Sequence, residues 1–202
     1  MRLILVRHGE SEWNRDGRIM GRADIPLTEL GRRQAHAVVQ ALQGEQVQTI
    51  YCSPLKRALE TGRMISDDQG CPLIPDPDLQ ELGRGNLEGM TRERAFMAYP
   101  DLQRTWPQVS GPTGLHGQES LGQLDLRVRR CLDRIRAKHS QETIVLVGHY
   151  FVNLMILLHF LRLELRYFRN FGQDIAGISI VEVGEDRSTI CVLNDTCHLP
   201  KG

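Results

Sequence analysis

Two apolar runs of this 202-residue chain end directly in histidine: Leu3-Ile4-Leu5-Val6 passes into Arg7-His8-Gly9, and Thr143-Ile144-Val145-Leu146-Val147 passes into Gly148-His149. A third run, Thr49-Ile50-Tyr51-Cys52, passes into Ser53-Pro54-Leu55-Lys56-Arg57. Imidazole offers a nucleophile or proton carrier near neutral pH, and guanidinium a permanent charge with paired N–H donors. Two of each around one point suit a phosphoryl group, whose charge is spread over three equatorial oxygens that all need donors. Taken singly, each histidine also fits a capping or core-edge residue and each arginine a surface residue, so only their convergence on one place makes a site.

The elements that must bring them together are legible in the hydrophobic pattern. Runs at 3–6, 49–52, 143–147, 178–183 and 189–193 have strand length, and several lack alternation, as strands covered on both faces do. Between them, residues 28–42, 54–65, 121–138 and 151–163 space their apolar positions by three and four, which predicts helices. Alternating strand and helix predicts an α/β fold: a single three-layer domain over residues 1–202, with a mostly parallel central sheet and helices on both faces. Ligands bind at the carboxyl ends of such strands, so parallel strands would set His8 and His149 at one edge. Ser53-Pro54 is expected to cap and open a helix whose first turn holds Arg57, adding free N–H groups and a positive dipole end that favour an anion. Ser120 with Gln123 reads as a capping box. Residues 76–117 carry Pro77, Pro100, Pro107 and Pro112 with one short helical pattern at 92–99, and read as an irregular insertion over the active-site edge.

Lys plus Arg number 25 and Asp plus Glu 25, so no net field draws in nucleic acid or an anionic membrane, and any anion must be recognised locally. Of the basic residues 22 are Arg, the better partner for bidentate phosphate or carboxylate contacts. Five scattered cysteines without a C-x-x-C pair argue against a disulfide framework or a zinc knuckle, and a reducing cytoplasm is expected. The first apolar run is too short for a signal peptide, and the longest, at 151–163, falls short of the roughly 20 residues of a membrane span, so a soluble protein is expected. No P-loop and no Asp-rich metal site is apparent, and no metal or cofactor is expected.

The segment Leu5-Val6-Arg7-His8-Gly9-Glu10-Ser11-Glu12-Trp13-Asn14 resembles the signature of the histidine phosphatase superfamily, in its phosphoglycerate mutase-like branch. The likeness continues through Gly21, Asp24-Ile25-Pro26-Leu27-Thr28-Glu29-Leu30-Gly31, the Ser53–Thr61 segment, Glu81, Glu88-Gly89, Gly148-His149 and the tail from Leu193 to Leu199, and so spans essentially the whole chain. It implies that His8 is a nucleophile forming a phosphohistidine that water hydrolyses, without metal. By the same resemblance Arg7, Arg57 and His149 hold the transferring oxygens, and Asn14 with the backbone near Gly21 adds donors. Glu81 would protonate the leaving alkoxide and then activate water, which asks for a raised pKa; spacing alone does not choose between Glu81 and Glu88. His8 must be neutral, which Arg7 and Arg57 favour, and its second nitrogen needs an acceptor such as a nearby backbone carbonyl.

Cofactor-dependent mutases of the branch carry an inserted segment that this chain is too short to hold, and Gly85-Asn86-Leu87-Glu88-Gly89 looks like the phosphatase pattern. The expected activity is therefore metal-independent hydrolysis of a small phosphomonoester, among them phosphoserine, α-ribazole phosphate, a sugar phosphate or a phosphoglycerate. Arg84, three residues after Glu81, is open to two readings, one in which it reaches a substrate carboxylate and one in which it sits in solvent. A phosphoglycerate mutase is the closest alternative, and a phosphoester-binding protein without turnover the more distant one. Two departures from the family pattern stand out: Tyr150, where a small residue usually follows the second histidine, and Met20, where a polar residue often precedes the glycine. The expected partner is a small phosphorylated metabolite, with no nucleic acid and no membrane, and a homodimer through an edge strand is left open. His36, His116, His139, His159 and His198 read as surface, helix or tail residues.

Overall fold

A computed structural model describes residues 1–105 and 115–200. Its strands are β1 (Arg2–Arg7), β2 (Val47–Cys52), β3 (Leu73–Pro75), β4 (Thr143–Gly148), β5 (Ile178–Val183) and β6 (Ser188–Asp195), joined in one sheet in the order β3-β2-β4-β1-β5-β6. The first four strands in that order are parallel, while β5 runs antiparallel to β1 and β6 antiparallel to β5. The result is a single α/β domain with a mixed sheet. β3 is an element that the hydrophobic pattern misses, because Leu73-Ile74-Pro75 is too short to show a period.

The missing alternation in the central strands has its physical cause in two covered faces. Leu3, Leu5, Ile144 and Leu146 point into a core with α6 (Leu121–Lys138) and α7 (Tyr150–Leu161), whereas Ile4, Val6, Val145 and Val147 pack against α2 (Glu29–Ala41) and α3 (Lys56–Gln69). All eight are fully buried. Thr28 caps α2, and Ser120 and Gln123 form the expected capping box at α6. A further capping box, Ser11 with Asn14, opens the short helix α1 (Glu12–Arg15), its cap three residues after His8.

The expected cap at Ser53 is corrected: α3 begins at Lys56, and no side chain caps it from Leu55. Ser53 is still attached to the sheet, its N–H donating to the Val147 carbonyl at 3.0 Å, and Pro54 disfavours a helical backbone in the residue before it. The Lys56 N–H is met instead by Asp24 Oδ1 at 2.7 Å. In the 76–117 region, 3₁₀ turns at Pro77–Leu79 and Gly85–Leu87 precede α4 (Arg92–Ala98) and α5 (Leu102–Thr105). Leu87, Ala95 and Leu102 form a small core of their own there. Pro107 and Pro112 lie outside the described residues.

The start of α2 closes on the loop after β1 at backbone contact. A Cβ at Gly31 would stand 2.0 Å from the Glu10 carbonyl oxygen, and one at Gly9 2.3 Å from the Gly31 carbonyl oxygen. Gly31→Ala should therefore cost about 2–3 kcal/mol of stability through forced backbone displacement. Urea unfolding checks this, and an unchanged midpoint would contradict the close approach.

Candidate active site

The register of β1 on β4 pairs Arg7 with Gly148, so His8 and His149 leave adjacent parallel strands side by side. Their rings stand 5.0 Å apart between centroids, inclined at 62°, and both are buried. His8 Nδ1 lies 2.6 Å from the Gly9 carbonyl oxygen, which can only accept, so Nδ1 carries the proton and Nε2 a lone pair. Arg57 Nε donates to that lone pair at 3.2 Å. Burial, then the Arg57 and Arg7 charges, hold the His8 pKa well below its usual 6.5, so the ring is neutral.

Arg57 is fully buried in the first turn of α3, and its Nη1 and Nη2 donate to the carbonyls of Ala23 at 2.7 Å and Gly21 at 2.9 Å. Burial lowers its pKa to about 10, still well above neutrality. Arg7 donates from Nη1 to the Gln173 carbonyl, and its Nε is buried without a partner among the described residues. The guanidinium of Arg7 also lies over the Tyr150 ring, 5.5 Å from its centroid, so the unusual residue after His149 supports a cation.

Glu81 is the carboxylate that the structure brings into this cluster. It is buried, its Oε1 accepts from the Leu82 N–H at 2.7 Å, and both oxygens lie 3.3 Å from the Phe151 N–H at the start of α7. Burial raises its pKa above the usual 4.5, against the pull of those N–H groups and of Arg57 and Arg7. Glu88, which spacing left equal to Glu81, does a different job: its Oε1 accepts from the backbone N–H of Arg22 at 2.9 Å and of Arg84 at 3.0 Å. That bond braces the turn at Gly21, whose φ of +53° lies in the left-handed region.

Among the other expected residues, Gly21 enters through its carbonyl on Arg57. Asn14 turns its Oδ1 onto the N–H and hydroxyl of Ser11, leaving Nδ2 as the group it can offer a ligand. Arg84 is buried beside the cluster, with its guanidinium 5.6 Å from the Phe151 ring centroid. Met20 sets its sulfur 3.0 Å from Ser11 Oγ. The remaining histidines stand outside the cluster, His139 on Tyr51, His116 against Asp101 and His198 on the Ala176 carbonyl. Sequence reasoning missed Arg127 of α6, which donates to the carbonyls of Asp78 at 2.7 Å and Glu81 at 3.0 Å while paired with Glu119. Glu119 in turn accepts from the Gly83 N–H at 3.0 Å, so the pair holds the Glu81 loop from behind. No spacing rule marks a helix arginine for that task.

A model of the histidine phosphatase superfamily (branch 1) matches residues 3–196. The chain belongs to that superfamily. It is 36% identical over 199 residues to phosphoserine phosphatase 1 of Hydrogenobacter thermophilus, an alignment that covers 98% of this chain and 94% of that protein. Bacillus stearothermophilus YhfR superposes with a TM-score of 0.91 at 27% identity, over 98% of this chain and 99% of its own. Phosphoserine phosphatase from Entamoeba histolytica, in complex with 3-phosphoglyceric acid, superposes with a TM-score of 0.85 at 29% identity, over 98% and 99% of the two chains. The fold and the family resemblance read from the sequence agree with these likenesses, as does the expectation of a phosphoric monoester hydrolase.

The two buried rings of this histidine phosphatase superfamily member give its stability a pH dependence. Burial holds His149, like His8, well below 6.5, whereas an unfolded histidine takes up a proton near that value. The unfolded state therefore binds more protons as pH falls below 6.5, and stability falls with it by up to about 1.4 kcal/mol per pH unit for each ring. Urea unfolding between pH 7.5 and pH 5 should show this slope, and His8→Asn should reduce it by one proton's worth. An equal slope in the variant would show that His8 is not held neutral.

Proposed function

We propose that the chain is a metal-independent phosphatase of small phosphomonoesters that works through a phosphohistidine on His8. The observation that carries this reading is the fixed tautomer of His8, whose Nδ1 is bound to the Gly9 carbonyl and whose Nε2 lone pair faces the Arg57 guanidinium. Nε2 attacks phosphorus in line and the bond to the leaving oxygen breaks. Arg7, Arg57 and His149 hold the equatorial oxygens, with Asn14 Nδ2 and the backbone near Gly21 as further donors, and one such donor is worth about 3–4 kcal/mol in a transition state.

Glu81 gives its proton to the leaving oxygen. It then takes a proton from water as that water's oxygen attacks phosphorus, and phosphate leaves with His8 neutral again. A carboxyl that burial keeps protonated to higher pH suits the first half of this cycle, and the nearby cations suit the second. The phosphoryl charge is met by guanidinium and imidazole, so no step calls for a metal ion.

Arg84 supports a choice of substrate class within this reading. It is a buried cation next to Arg169 and over the Phe151 ring, separate from the pair that faces His8. A second anionic group on the substrate, such as the carboxylate of phosphoserine or a phosphoglycerate, is the partner that this placement favours. The relatives named as phosphoserine phosphatases, one of them bound to 3-phosphoglyceric acid, support the same choice.

Phosphate release from phosphoserine, phosphoglycerates, α-ribazole phosphate, sugar phosphates and p-nitrophenyl phosphate should be abolished by His8→Ala and persist in excess chelator. Glu81→Gln should slow phosphoserine hydrolysis by about a hundredfold or more and leave only a slow reaction with p-nitrophenyl phosphate, whose leaving group needs no proton although the attacking water still needs a base. An active His8→Ala variant would overturn the nucleophile, and isomerisation of phosphoglycerate outrunning phosphate release would make the enzyme a mutase. For the substrate class, Arg84→Met should raise KM for phosphoserine by about ten- to a hundredfold and leave that for p-nitrophenyl phosphate nearly unchanged. Equal effects on both substrates would remove Arg84 from carboxylate recognition.

A further inference from the structure

Ser53 is fully buried, and its hydroxyl meets two groups: it accepts from the Leu55 N–H at 3.3 Å and lies 2.7 Å from His149 Nε2. The meeting follows from the sheet. β2 and β4 run parallel with Cys52 beside Val147, and the Ser53 N–H still donates to the Val147 carbonyl, so Ser53, the residue after β2, stands level with the end of β4 at Gly148, one residue before His149. His149 Nδ1, in contrast, is buried with no partner among the described residues.

His149 is neutral, because burial and then the Arg57 charge oppose its protonation, so one ring nitrogen carries a proton and the other a lone pair. Suppose Nε2 carried the proton and donated to Ser53. The Ser53 hydroxyl proton would then lack an acceptor and the Nδ1 lone pair a donor, leaving two buried polar groups unmatched. With the Ser53 hydroxyl donating to Nε2, both contacts of Ser53 are used and only the Nδ1–H is left over.

We infer that Ser53 is a positioning residue that fixes His149 as its Nδ1–H tautomer, which makes the second histidine a hydrogen-bond donor towards the phosphoryl oxygens. A lone pair turned to those oxygens would repel them, so the wrong tautomer would cost turnover even with the ring in place. The tautomer follows from the protein's own hydrogen bonds, whereas its consequence for turnover rests on the phosphatase reading above. Sequence alone hides the role, since a serine before proline reads as a helix cap.

Nitrogen-15 spectra of the histidine rings at pH 7.5, with His149→Gln used to assign the signals, read the tautomer directly. The wild-type protein should show His149 protonated at Nδ1 and bare at Nε2. Ser53→Ala should shift the proton to Nε2 or mix the two forms and lower kcat/KM for p-nitrophenyl phosphate at least about tenfold, and Ser53→Thr, which keeps the hydroxyl, should recover both. A wild-type His149 protonated at Nε2, or a Ser53→Ala spectrum unchanged from wild type, would overturn the inference. The wild-type spectrum alone decides the matter if the variants do not fold. A wild-type protein with the expected tautomer but no turnover would count against the phosphatase reading and leave the role of Ser53 standing.

Discussion

Every nitrogen of the Arg57 guanidinium has a protein partner, Nε with His8, Nη1 with Ala23 and Nη2 with Gly21, in a side chain with no exposure to solvent, and each of the two Nη atoms carries a second N–H. A cation taken out of water is costly unless its N–H groups are met, and here neutral acceptors meet them. Those acceptors exist only because the 20–24 loop folds back over α3. The left-handed turn at Gly21 leaves no room for a Cβ, which would lie 2.1 Å from Glu88 Oε1. Glu88 ties the loop to Arg84, and Asp24 ties it to the first N–H of α3. The arrangement around one buried guanidinium thus couples α3, the Gly21 turn and the loop that carries Glu81.

The same burial sets the electrostatics. Burial first, and then two guanidiniums close to the two imidazoles, keep both rings uncharged, which leaves a nucleophilic lone pair on His8 at neutral pH. Among the described residues the hydrogen bonds of Arg7 and Arg57 go to backbone carbonyls and to His8, and the nearby acid Glu81 has its pKa raised by burial. In the proposed reaction such a pocket receives a dianion, and a carboxyl whose pKa burial raises serves the leaving alkoxide. The proposed reaction uses both properties.

Much of this was legible in the sequence. The strands β1, β2, β4, β5 and β6 announce themselves as short apolar runs and the helices by their three- and four-residue spacing, and the pairing of Arg7 with Gly148 places His8 beside His149 as parallel strands require. The acceptor for the His8 Nδ1 proton was also expected in kind, a backbone carbonyl, and proves to be that of Gly9. What stayed hidden depends on contacts between segments distant in sequence. Ser53 reads as a cap until the register of β2 on β4 is known, and Arg127 draws no notice until the Glu81 loop is seen to rest on it. Glu81 and Glu88 are equivalent by spacing, where the family resemblance alone favours Glu81; the structure sets Glu81 towards the cations while Glu88 braces two backbone N–H groups. The antiparallel turn of β5 against β1 likewise leaves no mark on a local hydrophobic pattern.

The central claim is a covalent phosphoryl group on His8. Rapid alkaline quenching during turnover of radiolabelled phosphoserine, followed by fragmentation of the labelled protein, tests it most directly. The account predicts an alkali-stable, acid-labile label confined to the fragment containing His8 and formed as fast as the first turnover. A label on another residue, or phosphate release with no labelled protein at any quench time, would contradict it.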